Sequence, residues 1–210
     1  MSRGAFITIE GVEGMGKSTV IRAIESYLKS SDQPFIITRE PGGTPMAESI
    51  REVLLAHYDE TVTPYTELLM MFAGRCQHVA NVIKPALSQG TWVVSDRFTD
   101  ASYAYQGCGR GMPTESIDAL AVWSQDGVTP DVTLLLDAPV EVGLSRMQQR
   151  DEPDRIEREK AVFFEKVRRC YLERAKAEPN RFVVIDASQT PDEVANQAVS
   201  VIQSLREQRA

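Results

Sequence analysis

The chain has 210 residues, enough to bury one sizeable core; 42% are hydrophobic and 25% charged, with no low-complexity tract and no internal repeat. With 30 acidic against 23 basic residues the net charge is −7, which argues against a general nucleic-acid-binding surface, and no apolar run approaches membrane-spanning length. Met1-Ser-Arg-Gly is not followed by the hydrophobic stretch of a signal peptide, and Cys76, Cys108 and Cys170 form no C-x-x-C pair, so a cytoplasmic protein with reduced cysteines is expected rather than a disulfide or zinc framework.

Ala5-Phe-Ile-Thr-Ile9 is a short apolar run with β-branched residues and reads as a buried strand. It runs into Gly11-Val-Glu-Gly-Met-Gly-Lys-Ser18, which fits G-x-x-x-x-G-K-[ST]. Val20, Ile21, Ile24, Tyr27 and Leu28 then recur at helical spacing, completing the strand, loop and helix that a phosphate-binding loop requires. Glycines let the backbone come close to a ligand, and the N–H groups at the helix start point at an anion. The nucleotide-binding set is therefore Gly11, Val12, Glu13, Gly14, Met15, Gly16, Lys17, Ser18 and Thr19, with Lys17 on the β- and γ-phosphates and the Ser18 hydroxyl on Mg²⁺.

A second strand, Phe35 to Thr38, ends in the turn Arg39-Glu-Pro-Gly-Gly-Thr44. Pro45 to Ala56 reads as a helix, and Thr63-Pro64 opens a longer one through about Leu87, closed by Gly90. Thr91 to Val94 is a third strand with Ser95-Asp-Arg97 at its end, where Asp96 suits support of the Mg²⁺ or its waters; the alternative is a buried ion pair of Asp96 with Arg97. Gln106 to Gly111 reads as a flexible, glycine-rich connector, and Pro113 to about Gln125 as a helix. Val132 to Leu136 is a fourth strand, followed by a helix from Pro139 to about Arg150. The charged run from Arg150 to Lys160, interrupted by Pro153, reads as a mobile polar loop between helices. Phe182 to Ile185 is a fifth strand, and a last amphipathic helix follows. His57 and His78 stand too far apart in the chain to suggest a metal site. Strands alternating with helices predict an α/β fold: three layers of the P-loop NTPase type, with a five-stranded, mostly parallel sheet flanked by helices in one domain spanning 1–210.

No guanine-reading Asn-Lys-x-Asp exists here, and the chain leaves little room for the coupling domains of a motor or transporter ATPase. Glu10 to Ser18, Thr38-Arg-Glu-Pro-Gly-Gly-Thr44, Asp96-Arg-Phe98 with Ala104-Tyr-Gln-Gly107, and Asp154-Arg-Ile-Glu157 together resemble the bacterial thymidylate kinases over nearly the whole chain. The resemblance implies transfer of the γ-phosphoryl group of ATP to dTMP with Mg²⁺, in a homodimer; the apolar face of the helix from Pro64 to Leu87 either contributes to that interface or packs on the sheet. It implies that Arg97, with Arg39 and Arg51, holds the acceptor phosphate, and that Glu13 accepts from the sugar 3′-hydroxyl. Arg75 would reach the thymine O4, Ser102 and Gln106 the pyrimidine edge, and Tyr105 would pack where a 2′-hydroxyl would sit. Relatives carry an aromatic residue four positions before the helix arginine; here that position is Met71, with Phe72 beside it, and both are candidates for the base contact. The third residue of the family's Asp-Arg-Tyr is Phe98 here, without the hydroxyl. Some relatives place a catalytic arginine inside the phosphate loop, where this chain has Gly14. Arg150 is then the candidate arginine, with Arg146 and Arg155 on the nucleotide phosphates, in a lid spanning about 146–158 that closes over ATP.

Overall fold

The computed structural model describes residues 3–147 and 154–209. Five strands form one sheet: β1 (Phe6–Glu10), β2 (Phe35–Arg39), β3 (Trp92–Asp96), β4 (Val132–Asp137) and β5 (Phe182–Asp186), in the order β2-β3-β1-β4-β5. All four pairings are parallel, with Phe6 opposite Val93 and Ile7 opposite Val132. Nine helices are described: α1 (Lys17–Ser30), α2 (Pro45–Leu55), α3 (Pro64–His78), α4 (Lys84–Ser88), α5 (Thr99–Ser102), α6 (Thr114–Gln125), α7 (Val140–Met147), α8 (Ala161–Ala177) and α9 (Pro191–Arg209). The expected α/β, P-loop NTPase-type architecture is what the chain adopts.

The central strands β1, β3 and β4 are nearly continuous apolar runs because both faces of a parallel sheet are covered. Alternate side chains feed opposite layers. Ile7, Ile9 and Val94 join the larger core with residues of α1, α8 and α9, whereas Phe6 and Val93 meet Val79, Ile83 and Leu87 on the other side. A third cluster, Leu68, Phe72, Met112, Ile117 and Ala121, fills the space between α3 and α6. Thr44 and Thr63 cap α2 and α3 through their hydroxyls, each followed by proline at the first helical position.

The predicted long helix from Pro64 is α3 and α4 joined by a π-helical segment, Val79–Ile83. Two expectations are corrected. Residues 106–111 are not a flexible connector, because a π-helical segment runs through Tyr103–Gly109. Its Gly109 is a packing glycine: a Cβ there would lie 2.6 Å from Cε2 of the Phe163 ring. The cysteines are not all reduced: Cys108 of this segment is joined by a disulfide to Cys170 of α8, with Cα atoms 6.1 Å apart, and Cys76 is free and exposed. Sixty-two residues separate the bridged pair, so spacing along the chain carried no sign of it. Among the described residues no helix is long and apolar enough to cross a membrane.

Candidate active site

In an open parallel sheet ligands bind beyond the carboxyl ends of strands where the order reverses, here at the ends of β1 and β3. The loop after β1 leads into α1, whose N-cap, Gly16 (φ +84°), offers no side-chain cap. The first N–H groups of α1 are therefore left for a bound anion. Gly14 (φ +75°) is required by contact as well as conformation: a Cβ on it would fall 2.7 Å from the Gly143 Cα of α7. Lys17 Nζ donates to the carbonyls of Gly11 and Val12, both at 3.1 Å. Burial, with the positive charge of Arg97, pushes the Lys17 ammonium down to about 8, against the pull of Asp96, Glu13 and Glu10.

A cavity of about 390 Å³ opens over this loop. Glu13, Gly14, Gly16, Lys17, Ser18 and Thr19 of the loop line it, together with Arg51, Met71, Asp96, Arg97, Ala101 and Tyr105. Arg146, Asp154, Ile156 and Glu157 complete the wall. Arg97 has a left-handed backbone (φ +69°), held by its N–H on the Ile9 carbonyl at 3.0 Å and by the Ser95 hydroxyl on its own carbonyl at 2.7 Å. Such a conformation is costly for a side-chain-bearing residue and survives where surrounding structure enforces it. Its guanidinium is fixed on three sides: Nη2 donates to Glu13 Oε1 at 2.9 Å and Tyr105 Oη at 3.0 Å, and Nη1 to Tyr171 Oη at 3.0 Å. Tyr105 donates to Glu13 Oε2 at 2.6 Å, and Tyr171 to Glu10 Oε2 at 2.7 Å. The Asp96–Arg97 ion pair weighed from the sequence is thus replaced by Arg97–Glu13.

Two further residues shape the site: Glu10, which opens the loop motif but to which the sequence assigns no role, and Tyr171, which no motif contains. Glu10 is fully buried at the end of β1 and also accepts the Phe98 N–H at 2.7 Å. Burial and then the charge of Asp100 push its carboxyl up to about 7, against Arg97, Tyr171 and the Phe98 N–H. A lone carboxylate closing an otherwise apolar strand was the available signal. Tyr171 carried none, since its partners, Glu10 at the end of β1 and Arg97 just after β3, are far away in the chain.

Several sequence-predicted residues stand differently from expectation. Met71 lines the cavity, whereas Phe72 is buried in the α3–α6 cluster with the Arg75 guanidinium 4.5 Å over its ring. Arg75, Ser102 and Gln106 form a buried layer and do not line the cavity. Arg75 donates to Glu40 Oε2 at 2.6 Å, Ser102 Oγ at 3.1 Å and the Phe98 carbonyl at 3.2 Å. Glu40 also takes His78 Nδ1 at 3.0 Å, so His78 is a buried structural residue, while His57 is exposed. Arg51 reaches the cavity and donates to the Pro41 carbonyl at 2.9 Å. Arg39 does not: it pairs with Glu48 at 2.7 Å and borders a neighbouring cavity shared with Ser18 and Asp96. Arg146 reaches the loop, donating to the carbonyls of Gly14 and Ala187 at 3.3 Å. Arg155 is not brought to the phosphate loop, because Glu67 of α3 and the Leu54 carbonyl take its guanidinium at 2.8 and 3.1 Å. Arg150 lies outside the described residues.

Asp96 Oδ1 is buried with no hydrogen-bond partner among the described residues, and Asp96 and Ser18 line the same cavity. An orphaned carboxylate oxygen in a cavity that also carries a hydroxyl suits a hard cation or its waters. Among the described residues no group of three or more His, Cys, Asp or Glu could cage a metal alone.

The family model described as thymidylate kinase matches residues 9–198. A thymidylate kinase of Marinomonas sp. is 49% identical over 205 residues, covering 98% of this chain and 97% of the relative. One of Methylococcus capsulatus is 54% identical over 187 residues, 89% of each chain. The crystal structure of a thymidylate kinase from Ehrlichia chaffeensis superposes with a TM-score of 0.76 at 32% identity, covering 95% of this chain and 99% of the other. With its phosphate loop, the arginines that line the same cavity and these relatives over nearly its full length, the chain belongs to the thymidylate kinase family.

Proposed function

We propose that this kinase transfers the γ-phosphoryl group of ATP to the 5′-phosphate of dTMP, giving ADP and dTDP, within a single domain spanning 1–210. The observation that carries this reading is one cavity in which the phosphate loop, Gly14 to Thr19, faces Arg51 and Arg97. Two anion-binding sets share one space, as donor and acceptor phosphates require. Lys17 exchanges its loop carbonyls for phosphate oxygens, and Arg97, pre-oriented by Glu13, Tyr105 and Tyr171, holds the acceptor phosphate without reorganising. Glu13 spans both substrates by accepting from the 3′-hydroxyl, while Tyr105 closes the space a 2′-hydroxyl would need. The acceptor oxygen is already anionic, so no general base is required. Arg39 stands by from the adjacent cavity, and Met71 provides the cavity-side contact to the base.

Mg²⁺ fits Ser18 and the unpartnered Asp96 Oδ1, and when bound it neutralises charge on the transferred phosphoryl group. Arg146 supports the nucleotide at the loop, beside a small cavity with Ala187 and Gln189 that suits adenine. Residues 146–158 act as the lid, with Arg150 as the arginine that meets the transferring group. The site works in the cytoplasm, in a homodimer joined through α3 and α6, where Tyr65, Leu69, Val122 and Trp123 leave large apolar side chains exposed. Sedimentation of the purified protein tests the dimer. An ADP-release assay across dTMP, dUMP, dCMP, dGMP and thymidine tests the reaction: dTMP should be turned over fastest, and comparable rates with dCMP would refute the assignment.

A further inference from the structure

Glu67 is an anomaly on α3. It is 1% exposed, yet it is a carboxylate on the face that also buries Leu68 and Phe72. Its Oε1 accepts from Gln106 Nε2 at 2.8 Å and Arg110 Nε at 3.3 Å; its Oε2 accepts from Arg155 at 2.8 Å and Arg110 Nη2 at 3.2 Å. Burial works against its charge, but the Gln106 amide, Arg110 and Arg155 hold its carboxyl below the usual range. Glu67 is therefore ionised at neutral pH and can only accept.

That fixes Gln106. A glutamine amide can present either its NH₂ or its carbonyl to a neighbour, but a carboxylate tolerates only the NH₂. The Gln106 carbonyl must then face away from Glu67, and its Oε1 is buried without a partner among the described residues. A buried acceptor in a native protein is satisfied by something. Ala101 and Tyr105 of the same segment line the cavity, as does Met71 from α3, and Ser102, one turn earlier, holds Arg75. In the buried layer next to these cavity-lining residues the fold thus holds a fixed donor, Arg75, and a fixed acceptor, the Gln106 carbonyl. A thymine or uracil edge offers the complement, O4 as acceptor and N3–H as donor; cytosine offers the reverse at both positions. Arginine cannot reverse its role, and glutamine could by turning over, except that Glu67 prevents it.

We propose that Glu67 determines base specificity: by holding the Gln106 amide it keeps the Gln106 carbonyl as an acceptor for the N3–H of an imide pyrimidine and so rejects cytosine nucleotides. This rests on the reading of Gln106 as a pyrimidine-edge residue. Glu67 itself touches no substrate, so it is a positioning residue.

The test is the ratio of kcat/KM for dTMP to that for dCMP in the wild type, Glu67→Gln and Gln106→Leu. A neutral amide at 67 can donate, so Gln106 is freed to turn, and the ratio should fall about tenfold in Glu67→Gln with kcat/KM for dCMP rising in absolute terms. Damage to the fold lowers both substrates and cannot produce that rise. Gln106→Leu should raise the KM for dTMP about tenfold with no gain for dCMP. An unchanged ratio in folded Glu67→Gln, or equal loss of both substrates, overturns the proposal. If the single variant does not fold, Glu67→Gln with Arg110→Gln removes one cation along with the anion and is read the same way. A wild type that does not prefer dTMP over dCMP overturns the functional reading itself, and an unaffected Gln106→Leu overturns the edge assignment and the proposal with it. A wild type that discriminates, with Gln106→Leu impaired and Glu67→Gln unaltered in ratio, overturns Glu67 alone.

Discussion

Replacing Tyr171 by Phe removes one oxygen from the centre of the arginine-holding network. That hydroxyl donates to Glu10 Oε2 at 2.7 Å and receives Arg97 Nη1 at 3.0 Å. Hydrogen bonds to charged groups contribute ~1.5–3 kcal/mol each, and charge-assisted bonds are roughly twice as strong as neutral ones. The cost must therefore follow the ionisation of Glu10. In the folded protein this carboxyl titrates at about 7 rather than at its ordinary 4.5. Stability from a group raised in this way is fully present below the ordinary value and is lost as pH rises through the folded one. Losing the tyrosine hydroxyl raises the folded value further, so the variant's deficit grows with pH. We expect Tyr171→Phe to lose about 2 kcal/mol near pH 8 and about 1 kcal/mol near pH 5 by urea unfolding, with Tm lower by ~4–8 °C at the higher pH. Arg97 keeps Glu13 and Tyr105, so the KM for dTMP should rise only about threefold to tenfold. A deficit equal at both pH values would refute the pairing of the hydroxyl with an ionising Glu10.

Gly14→Ala places a Cβ against the Gly143 carbonyl at a backbone φ of +75°, so it should cost about 3 kcal/mol or more and weaken ATP binding over tenfold by calorimetry; wild-type binding would refute the contact. Asp100 is 3% exposed between Arg174 and Arg181, and Asp100→Asn should lose about 2–3 kcal/mol, because both arginines lose their buried anion and keep only the more exposed Glu178. Although burial opposes it, Arg181 and Arg174 hold the Asp100 carboxyl below its ordinary 3.8, so its stabilisation is present above that value and is lost as pH falls through the folded one. Acid unfolding of the wild type and of Asp100→Asn should differ accordingly. Arg150→Ala should lower kcat by about a thousandfold in single-turnover assays while dTMP affinity stays nearly constant, and unchanged turnover rejects the lid arginine.

The parts of the site legible in the sequence are those set by local backbone demands. Gly11 to Ser18 could be read because the motif joins a strand to a helix start, and the strand alternation predicted a parallel sheet that is found with every pairing parallel. What escaped were pairings across the chain. Glycine composition made 106–111 look flexible, but Gly107 and Gly109 are small because Ile117 and Phe163 occupy the space a side chain would need. Arg39, Arg75 and Arg155 carry roles that the resemblance implies, and each also pairs with an internal carboxylate, Glu48, Glu40 or Glu67, to which nothing in the sequence points. A sequence shows which cations exist; it does not show which of them the fold has already neutralised. Two carboxylates to which the sequence assigns no role, Glu10 in β1 and Glu67 in α3, are each held by several donors from distant parts of the chain, because burying a carboxylate demands them.

The same pairing logic explains why the loop carries no arginine of its own. Gly14 and Gly143 face each other so closely that neither has room for a side chain: a Cβ on Gly143 would strike the Glu13 carbonyl and lie 2.7 Å from Met15 Cε. Helix α7 is therefore seated directly on the phosphate loop. One turn after Gly143, Arg146 extends back to the Gly14 carbonyl, so the helix end is tied to the phosphate loop. An arginine at position 14 would lift α7 off the loop and carry Arg146 away with it. A loop arginine and the proposed lid arginine would therefore make opposing demands on the contact between α7 and the loop. Restoring the loop arginine while shortening α7 should exchange one for the other, whereas adding it alone should lose both.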